Sequence, residues 1–256
     1  GQIENAEDLV LMDPEKFRGQ YNIEARVNNE VLSINRNNKE LEVKNLISGE
    51  IYKESYDKLI LSPGAKAIIT TIPGIEKANI FTIKNVVDID KLNKFINKIK
   101  PSRVTVIVGG FIGIEVMENL FETGNTVSLV ESLPQVLNQF DYEMIQVIHK
   151  EIIDNGVELV VGNKVIAFDT NKVILESGKA ITSEVIVMSI GIESEIGIAK
   201  TAGLKFGKTG AIKVDPNFLT NDPDIYAEGD AIEVYNTLSQ DNFKLSLAGL
   251  AQNQAA

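Results

Sequence analysis

Three closely spaced glycines and one carboxylate are the residues in this sequence whose types and spacing suit chemistry. Gly109, Gly110 and Gly113 follow one apolar run, and Glu131 ends another. Glycine turns let backbone N–H groups approach a pyrophosphate closely, because no side chain intervenes. A carboxylate about 20 residues beyond such a turn can accept hydrogen bonds from ribose hydroxyls. The spacing therefore predicts a site for the phosphates and ribose of a dinucleotide.

The segment around these residues reads as a strand, a turn, a helix and a second strand. Residues 104–108 are mostly β-branched, as expected for a parallel strand buried on both faces. The helix after the glycines would begin at the phosphates, which its free N–H groups and dipole would attract. Gly124 and Asn125 end this helix, and residues 127–130 form the second strand. The buried stripe of the helix consists of Ile114, Met117, Leu120 and Phe121.

The glycine pattern departs from the usual G-x-G-x-x-G at its first position. Gly110 and Gly113 supply the second half, but strict counting places Val108 where the first glycine belongs. Either the turn is one residue shorter than usual, or a glycine is missing from the sequence. The order of the elements favours a dinucleotide site over a turn that only packs strand on helix. For Glu131, the structural alternative is a solvent-exposed strand end.

The composition excludes several classes of function. A net charge of −11 over 256 residues argues against nucleic acid and anionic membranes as partners, since both need a cationic face. No apolar run reaches the roughly 18 residues of a membrane-spanning helix, and no signal peptide opens the chain, so a cytoplasmic protein is expected. The absence of cysteine excludes thiol chemistry by these residues. The only histidine, His149, is expected on a helix surface and not in a metal site.

The rest of the chain predicts an antiparallel meander and several further elements. A short helix within residues 9–21 would begin at Asp13 and Pro14 and end at Gly19. Meander strands are predicted at 31–34, 40–43 and 51–53. A buried strand running into a Pro–Gly turn is predicted over residues 56–65. Further strands are predicted at 157–161, 164–168, 173–175, 185–190 and 225–227, and further helices at 87–98, 141–156 and 198–203.

Three separated motifs resemble those of the pyridine nucleotide-disulfide oxidoreductases, flavoproteins with two dinucleotide-binding folds. The motifs are "YDKLILSPGA", "VIVGGFIGIEVMENL" with "VSLVESLPQVL", and "LTNDPDIYAEGDA" followed by "LAGLAQNQAA". Within the family, the coenzyme A disulfide reductases and NADH oxidases are the most similar. The resemblance implies an α/β fold with a Rossmann-like NAD(H)-binding domain, residues 101–212, inserted in an incomplete FAD-binding domain, residues 1–100 and 213–256.

The resemblance also implies two groups of site residues. The positions that match the FAD site are Ser62, Pro63, Gly64, Ala65, Gly229, Asp230 and Ala248. The positions that match the NADH site are Gly109, Gly110, Phe111, Ile112, Gly113, Glu115, Glu131 and Gly191. In the family pattern, Asp230 would bond the ribityl chain of FAD, and Gly191 would lie near the nicotinamide. Phe111 and Glu115 would lie beside the stacked nicotinamide and flavin rings.

Each implied role has a plain structural alternative. Asp230 can serve as a turn residue or helix cap, Glu115 as a solvated helix residue, and residues 62–65 as a strand-ending turn. The carboxylate at Glu131, with no Arg or Lys directly after it, favours NADH over NADPH.

The chain lacks three parts of the family pattern: the first glycine-rich unit, the redox cysteine and the C-terminal dimerisation domain. It is therefore expected to be a fragment of a longer, homodimeric FAD-dependent NADH oxidoreductase that retains FAD poorly on its own. The implied reaction passes a hydride from NADH to the flavin and then electrons to a disulfide, persulfide, oxygen or quinone. Two alternatives remain: a module that binds NADH without turnover, and a relative of NADH dehydrogenases or ferredoxin reductases.

Overall fold

The computed structural model describes residues 12–100, 103–244 and 246–254. The helices are α1 Pro14–Tyr21, α2 Val86–Ile99, α3 Phe111–Glu122, α4 Tyr142–Asp154, α5 Gly197–Thr201 and α6 Ala248–Gln254, with short 3-10 helices at Ile75–Lys77 and Gly229–Ala231. The strands of the first half are β1 Asn29–Asn35, β2 Glu40–Asn45, β3 Ile51–Ser55, β4 Leu59–Leu61, β5 Ala65–Ala67, β6 Ile80–Thr82, β7 Arg103–Ile107 and β8 Thr126–Val130. Those of the second half are β9 Glu158–Val160, β10 Val165–Asp169, β11 Lys172–Leu175, β12 Ala180–Thr182, β13 Val185–Met188, β14 Ile192–Ser194, β15 Ile212–Lys213, β16 Ile225–Ala227, β17 Ile232–Asn236 and β18 Asp241–Phe243.

The chain forms two compact units. We call residues 67–192 the inserted unit, and residues 12–66 with 193–254 the flanking unit. The inserted unit begins before the predicted boundary at residue 101, because β6 pairs with β13 and Phe81 and Phe95 pack on its core. It also ends before residue 212, because Ala199, Leu204 and Ile212 belong to the core of the flanking unit.

The inserted unit is built on a five-stranded parallel sheet in the order β6-β13-β7-β8-β9. Val104 and Val106 of β7 pack in one core with residues of α2, α3 and α4. Ile107 belongs to a second core that includes residues of the antiparallel sheet β10-β11-β12. The central strand is therefore covered on both faces, as its β-branched run predicts.

The flanking unit contains the predicted meander β1-β2-β3, a parallel pair of β4 and β16, and the sheet β15-β17-β18. Residues 56–65 are predicted to form a buried strand running into a Pro–Gly turn. Leu59–Leu61 form the strand β4, the turn follows at Pro63 and Gly64, and Ala65 begins the next strand, β5. The predicted burial is wrong for Ile60, which is 63% exposed, whereas Leu61 is buried.

Helix α1 begins as predicted but ends later. The Asp13 side chain accepts a hydrogen bond from the Lys16 N–H at 2.8 Å, and Pro14 takes the first helical position. The prediction that Gly19 ends the helix is wrong, since the helix continues to Tyr21. Asn22 terminates it in the left-handed conformation at a φ of 54°, a role that Asn fills as glycine does. Residues 9–11 of the predicted helix lie outside the described residues.

Across the described ranges of the chain, every helix falls short of the length and apolar character that a bilayer-spanning segment requires.

The Pro73–Gly74 turn gives a test of the packing of the inserted unit. A Cβ on Gly74 would lie 1.9 Å from the backbone oxygen of Phe168, and Gly74 has a φ of 81°. Gly178 has a similar φ of 85°, but a Cβ there meets no atom of the described residues within 4 Å. We expect Gly178→Ala to cost about 1 kcal/mol of backbone strain. Gly74→Ala should cost about 2 kcal/mol more, because of the added overlap.

Urea unfolding monitored by circular dichroism measures both losses. Equal losses in the two variants would show that the contact with Phe168 is absent.

Candidate functional site

The turn between β7 and α3 has an unusual backbone conformation at its first residue. Val108 has a φ of 86°, in the left-handed region that β-branched residues rarely adopt. Its N–H donates to the Val130 oxygen at 2.8 Å, which fixes it beside the end of β8. Val108 is the position at which the motif lacks its first glycine. The backbone therefore keeps a conformation that suits glycine, with valine in that place.

The other glycines of the turn have different surroundings. A Cβ on Gly113 would lie 1.9 Å from the Val108 oxygen, and a Cβ on Gly109 would lie 2.5 Å from Cγ1 of Val136. Close packing therefore requires glycine at both positions. A Cβ on Gly110 would meet nothing within 4 Å in the described part of the chain. Gly110 thus presents bare backbone to open space at the start of α3.

Helix α3 begins at Phe111, directly after Gly110, which has no side chain to cap the helix. The N–H groups of the first turn have no partner within a helix, and the positive end of the helix dipole lies there. Phe111 is 64% exposed, and Ile112 and Glu115 are exposed as well. The start of α3 therefore offers backbone donors, with side chains around them, to an anionic ligand.

Glu131 is buried at the end of β8 and bonded to the glycine turn. It is only 5% exposed, so the alternative of a solvent-exposed strand end is wrong. One oxygen, Oε2, accepts from the Gly109 N–H at 2.9 Å. The other, Oε1, accepts from the Leu133 N–H at 2.8 Å and from the Ser132 hydroxyl at 3.1 Å. The carboxyl group of Glu131 therefore lies beside the glycine turn, and its contact with a ribose stays a prediction.

Residues 132–140, which we call the 132–140 segment, pack against the glycine turn. The Leu137 N–H donates to the Gly109 oxygen at 2.8 Å. The Gln135 side chain is buried and donates to the Phe140 oxygen at 2.9 Å. The Phe140 ring makes an edge contact with Phe111 at a centroid distance of 5.9 Å. The first half of this segment belongs to the quoted motif "VSLVESLPQVL", but its packing on the turn was not predicted, because its contacts follow no helical or strand period.

The predicted surface position of His149 is wrong, since this side chain is buried. It is 8% exposed on α4, and its Nε2 accepts from the Val136 N–H at 3.2 Å. Burial disfavours the charged imidazolium and lowers the pKa of His149 below its ordinary value of 6.5. Because Nε2 accepts a hydrogen bond, that nitrogen carries no proton in this structure. The signal in the sequence was the spacing of Ile145, His149 and Ile152 on one helical stripe.

Gly191 lies at the same edge of the parallel sheet as the glycine turn and Glu131. It follows β13, which pairs with β7, which in turn pairs with β8. The strands are parallel, so their carboxyl ends share one edge, where open α/β sheets bind ligands. Gly191 has a φ of 113°, and its oxygen accepts from the Ile68 N–H at 3.0 Å. The structure thus brings the predicted NADH residues of the inserted unit to one edge.

The predicted FAD residues of the flanking unit follow β4 and β16. These strands are parallel, and the Ser62 hydroxyl donates to Oε1 of Glu228 at 2.8 Å across their ends. Pro63 is exposed, and Ala65 begins β5. Gly64 has a φ of 70°. The segment after β4 is therefore a turn at the carboxyl end of a parallel strand.

The Gly229–Asp230 turn follows β16 in the same unit. The Gly229 N–H donates to Oε1 of Gln254 at 2.8 Å, which ties the turn to α6, the helix that begins at Ala248. The Asp230 backbone oxygen accepts from the Ser194 hydroxyl at 2.7 Å. Among the described atoms, none lies within 4 Å of a Cβ built on Gly64 or Gly229. These turns leave backbone open to a ligand in the way that Gly110 does.

The carboxyl edge of the parallel sheet and the turns of the flanking unit define a class: proteins with two nucleotide-binding folds of the Rossmann type. Within this class, the chain belongs to the pyridine nucleotide-disulphide oxidoreductase family, whose sequence profile matches residues 2–255. The family resemblance of the three motifs and the α/β fold that it implies are confirmed.

Two curated relatives and one solved structure illustrate the similarity. An NADH oxidase of Enterococcus faecalis is 33% identical over 261 residues, covering 99% of this chain and 57% of that protein. A coenzyme A disulfide reductase of Staphylococcus aureus is 32% identical over 228 residues, covering 89% of this chain and 51% of that protein. The crystal structure of reduced Bacillus anthracis CoADR-RHD is 42% identical, with a TM-score of 0.94, covering 98% of this chain and 45% of that one. The chain thus spans about half the length of these proteins.

Because the backbone of Val108 is left-handed, we predict that its glycine variant is more stable than its alanine variant, the reverse of the usual order. Alanine normally stabilises a position relative to glycine by roughly 0.5–1 kcal/mol, but a left-handed conformation costs alanine about 1–2 kcal/mol. We therefore expect Val108→Gly to unfold at a higher urea concentration than Val108→Ala. Val106 lies in the regular part of β7 and is the matched control, where the alanine variant should be the more stable. If alanine were the more stable replacement at both positions, Val108 would not be strained.

Proposed function

We propose that this chain binds NADH in its inserted unit and contributes part of an FAD site from its flanking unit. In the longer protein, a hydride would pass from NADH to the flavin and electrons would pass on to a small-molecule acceptor. The observation that carries the proposal is the bare backbone of Gly110 at the start of α3, beside the buried carboxylate of Glu131. The open backbone of Gly110 fits a pyrophosphate, and the carboxylate of Glu131 fits a ribose.

The charges of the inserted unit support the binding of a pyrophosphate at the turn. The helix start offers N–H groups and a positive dipole end, which stabilise phosphate oxygens. Gly113 allows α3 to approach the Val108 oxygen closely, so that these donors lie at the sheet edge. The Gly109 N–H is already bonded to Glu131, so it orients the carboxylate and leaves the phosphates to the donors of α3.

The flanking unit offers residues that fit FAD. Ser62 and Asp230 are polar residues in turns at the carboxyl ends of parallel strands, and Gly64 and Gly229 leave open backbone beside them. In this proposal Asp230 holds the ribityl chain, while residues 62–65 and the start of α6 border the site. Bound FAD would supply the two-electron chemistry between NADH and the acceptor.

The acceptor that we propose is a disulfide such as coenzyme A disulfide, a persulfide, or oxygen. The names of two relatives, an NADH oxidase and a coenzyme A disulfide reductase, support an acceptor of this kind. This chain has no cysteine, so its own residues contribute the holding and orienting of the nucleotides. We propose a homodimer for the longer protein, in line with the family resemblance.

The open face of Gly110 provides the sharpest test of the NADH site. Gly110 has a φ of −76°, which alanine adopts without strain, and no described atom would contact its Cβ. Gly110→Ala should therefore leave the urea unfolding midpoint unchanged. The added methyl group would stand where phosphate oxygens approach the backbone, so we expect NADH affinity to fall by about tenfold or more in calorimetry.

Gly19→Ala is the matched control, because Gly19 lies within α1 and its Cβ likewise meets none of the described atoms within 4 Å. It should not change NADH affinity. Equal NADH affinity in the wild-type protein and the Gly110→Ala variant would overturn the proposed site.

The position of Glu131 predicts a preference for NADH over NADPH. The 2′-phosphate of NADPH would place nearly two negative charges beside this buried carboxylate, and Ser132 and Leu133 supply no cation. We expect the wild-type protein to bind NADH roughly tenfold to a hundredfold more tightly than NADPH. Glu131→Gln removes the charge and should narrow this ratio. Its NH2 group would face the N–H group of Gly109 or Leu133 in place of an acceptor oxygen, so we expect both nucleotides to bind more weakly, NADH more so than NADPH.

Glu118→Gln removes an equal charge from the exposed face of α3 and should leave the ratio unchanged. Competition titrations with NADH and NADPH give the two dissociation constants of each protein. The assignment of Glu131 fails if the wild-type protein binds NADPH at least as tightly as NADH.

A further inference from the structure

A chain of contacts links the buried His149 of α4 to the glycine turn. His149 Nε2 accepts from the Val136 N–H at 3.2 Å. Val136 is fully buried, and its side chain occupies the space that a Cβ on Gly109 would need. The next residue, Leu137, donates its N–H to the Gly109 oxygen at 2.8 Å. His149 therefore bonds the part of the 132–140 segment that lies directly on Gly109.

These contacts restrict Gly109 from three sides. Its N–H is bonded to Glu131, its oxygen to the Leu137 N–H, and its α-carbon faces Val136. Leu137 itself has a φ of 47°, an uncommon conformation for a residue with a side chain. Local preferences alone do not hold such a conformation, so long-range contacts must maintain it. The hydrogen bond to His149 is such a contact, since it joins residues that are 13 positions apart.

We propose that His149 is a positioning residue for the dinucleotide site and acts through Val136 on Gly109. The neutral imidazole of His149 supplies a hydrogen-bond acceptor for the buried N–H group of Val136. Without it, the Val136 N–H would be left unsatisfied, and the segment would move to find water or another acceptor. That movement would displace Gly109 and, with it, the donors of α3. This inference rests on the proposed binding of NADH to the inserted unit.

Three replacements of His149 distinguish the role of its hydrogen-bond acceptor from the role of its side-chain volume. His149→Gln places an amide oxygen at the reach of Nε2, and His149→Asn, one methylene shorter, does not reach it. His149→Leu fills the space and has no acceptor. We expect NADH dissociation constants within about twofold of the wild type for His149→Gln. The dissociation constants should rise about fivefold or more for His149→Asn and His149→Leu, because these variants lose a buried hydrogen bond.

Ile152→Val is the matched control for core destabilisation. Ile152 lies one turn further along α4 and is buried in the same core as Val136. Its truncation should lower the urea midpoint without changing the affinity for NADH. Calorimetric titration with NADH, on variants whose far-UV circular dichroism matches that of the wild type, gives the affinities of folded protein. If His149→Leu fails to fold, the comparison of His149→Gln with His149→Asn still tests the role of the hydrogen-bond acceptor.

Two outcomes would overturn the inference while the proposed function stands. One is a wild-type affinity for NADH in all three variants. The other is an equal loss in the glutamine and asparagine variants, which would show that the acceptor is not what matters. A wild-type protein that does not bind NADH would overturn the proposed function, and the inference with it.

Discussion

The hydrogen bond between the Glu131 carboxylate and the Gly109 N–H is the interaction on which the rest of the site depends. It joins the end of β8 to the turn after β7, two neighbouring strands whose carboxyl ends share one edge. A buried carboxylate is costly unless several donors satisfy it, and here the Leu133 N–H and the Ser132 hydroxyl complete the set. The charge is therefore stabilised by the same backbone that shapes the turn.

The turn after β7 shows how a folded chain can hold valine in a left-handed backbone conformation. Val108 holds a left-handed conformation because both of its sides are constrained: its N–H is bonded to Val130, and its oxygen lies against Gly113. Strain of about 1–3 kcal/mol is sustained only where the surroundings over-determine the backbone. The central strand, buried on both faces, and the close approach of α3 supply that constraint.

Local patterns in the sequence predicted the parts of the fold that depend on local chemistry. The β-branched run of β7, the apolar stripe of α3 and the alternation of the meander each reflect one element and its period. The packing of the 132–140 segment and the limits of the inserted unit depend on contacts between distant residues, which no periodicity reports. The burial of His149 did have a periodic signal, its place on the stripe of Ile145 and Ile152, but the hydrogen bond to Val136 had none. The strands β6, β12, β14, β15 and β18 were missed because two or three residues seldom show a clear alternation, and the five-residue strand β17 was missed as well. Glu131 was found by its spacing, but its bond to Gly109 was not.

The hydrogen bonds of Glu131 also explain how one carboxylate can serve both the turn and a ligand. A carboxylate has about four acceptor positions, and Gly109, Leu133 and Ser132 occupy three of them. The two N–H donors are fixed by the backbone, whereas the Ser132 hydroxyl can rotate away. In the proposed complex, the ribose hydroxyls would take the open position and the one that Ser132 gives up. A 2′-phosphate, which is largely deprotonated at neutral pH, offers few protons for these positions. In this proposal, the preference for NADH over NADPH follows from the number of hydrogen-bond donors as well as from the repulsion of like charges.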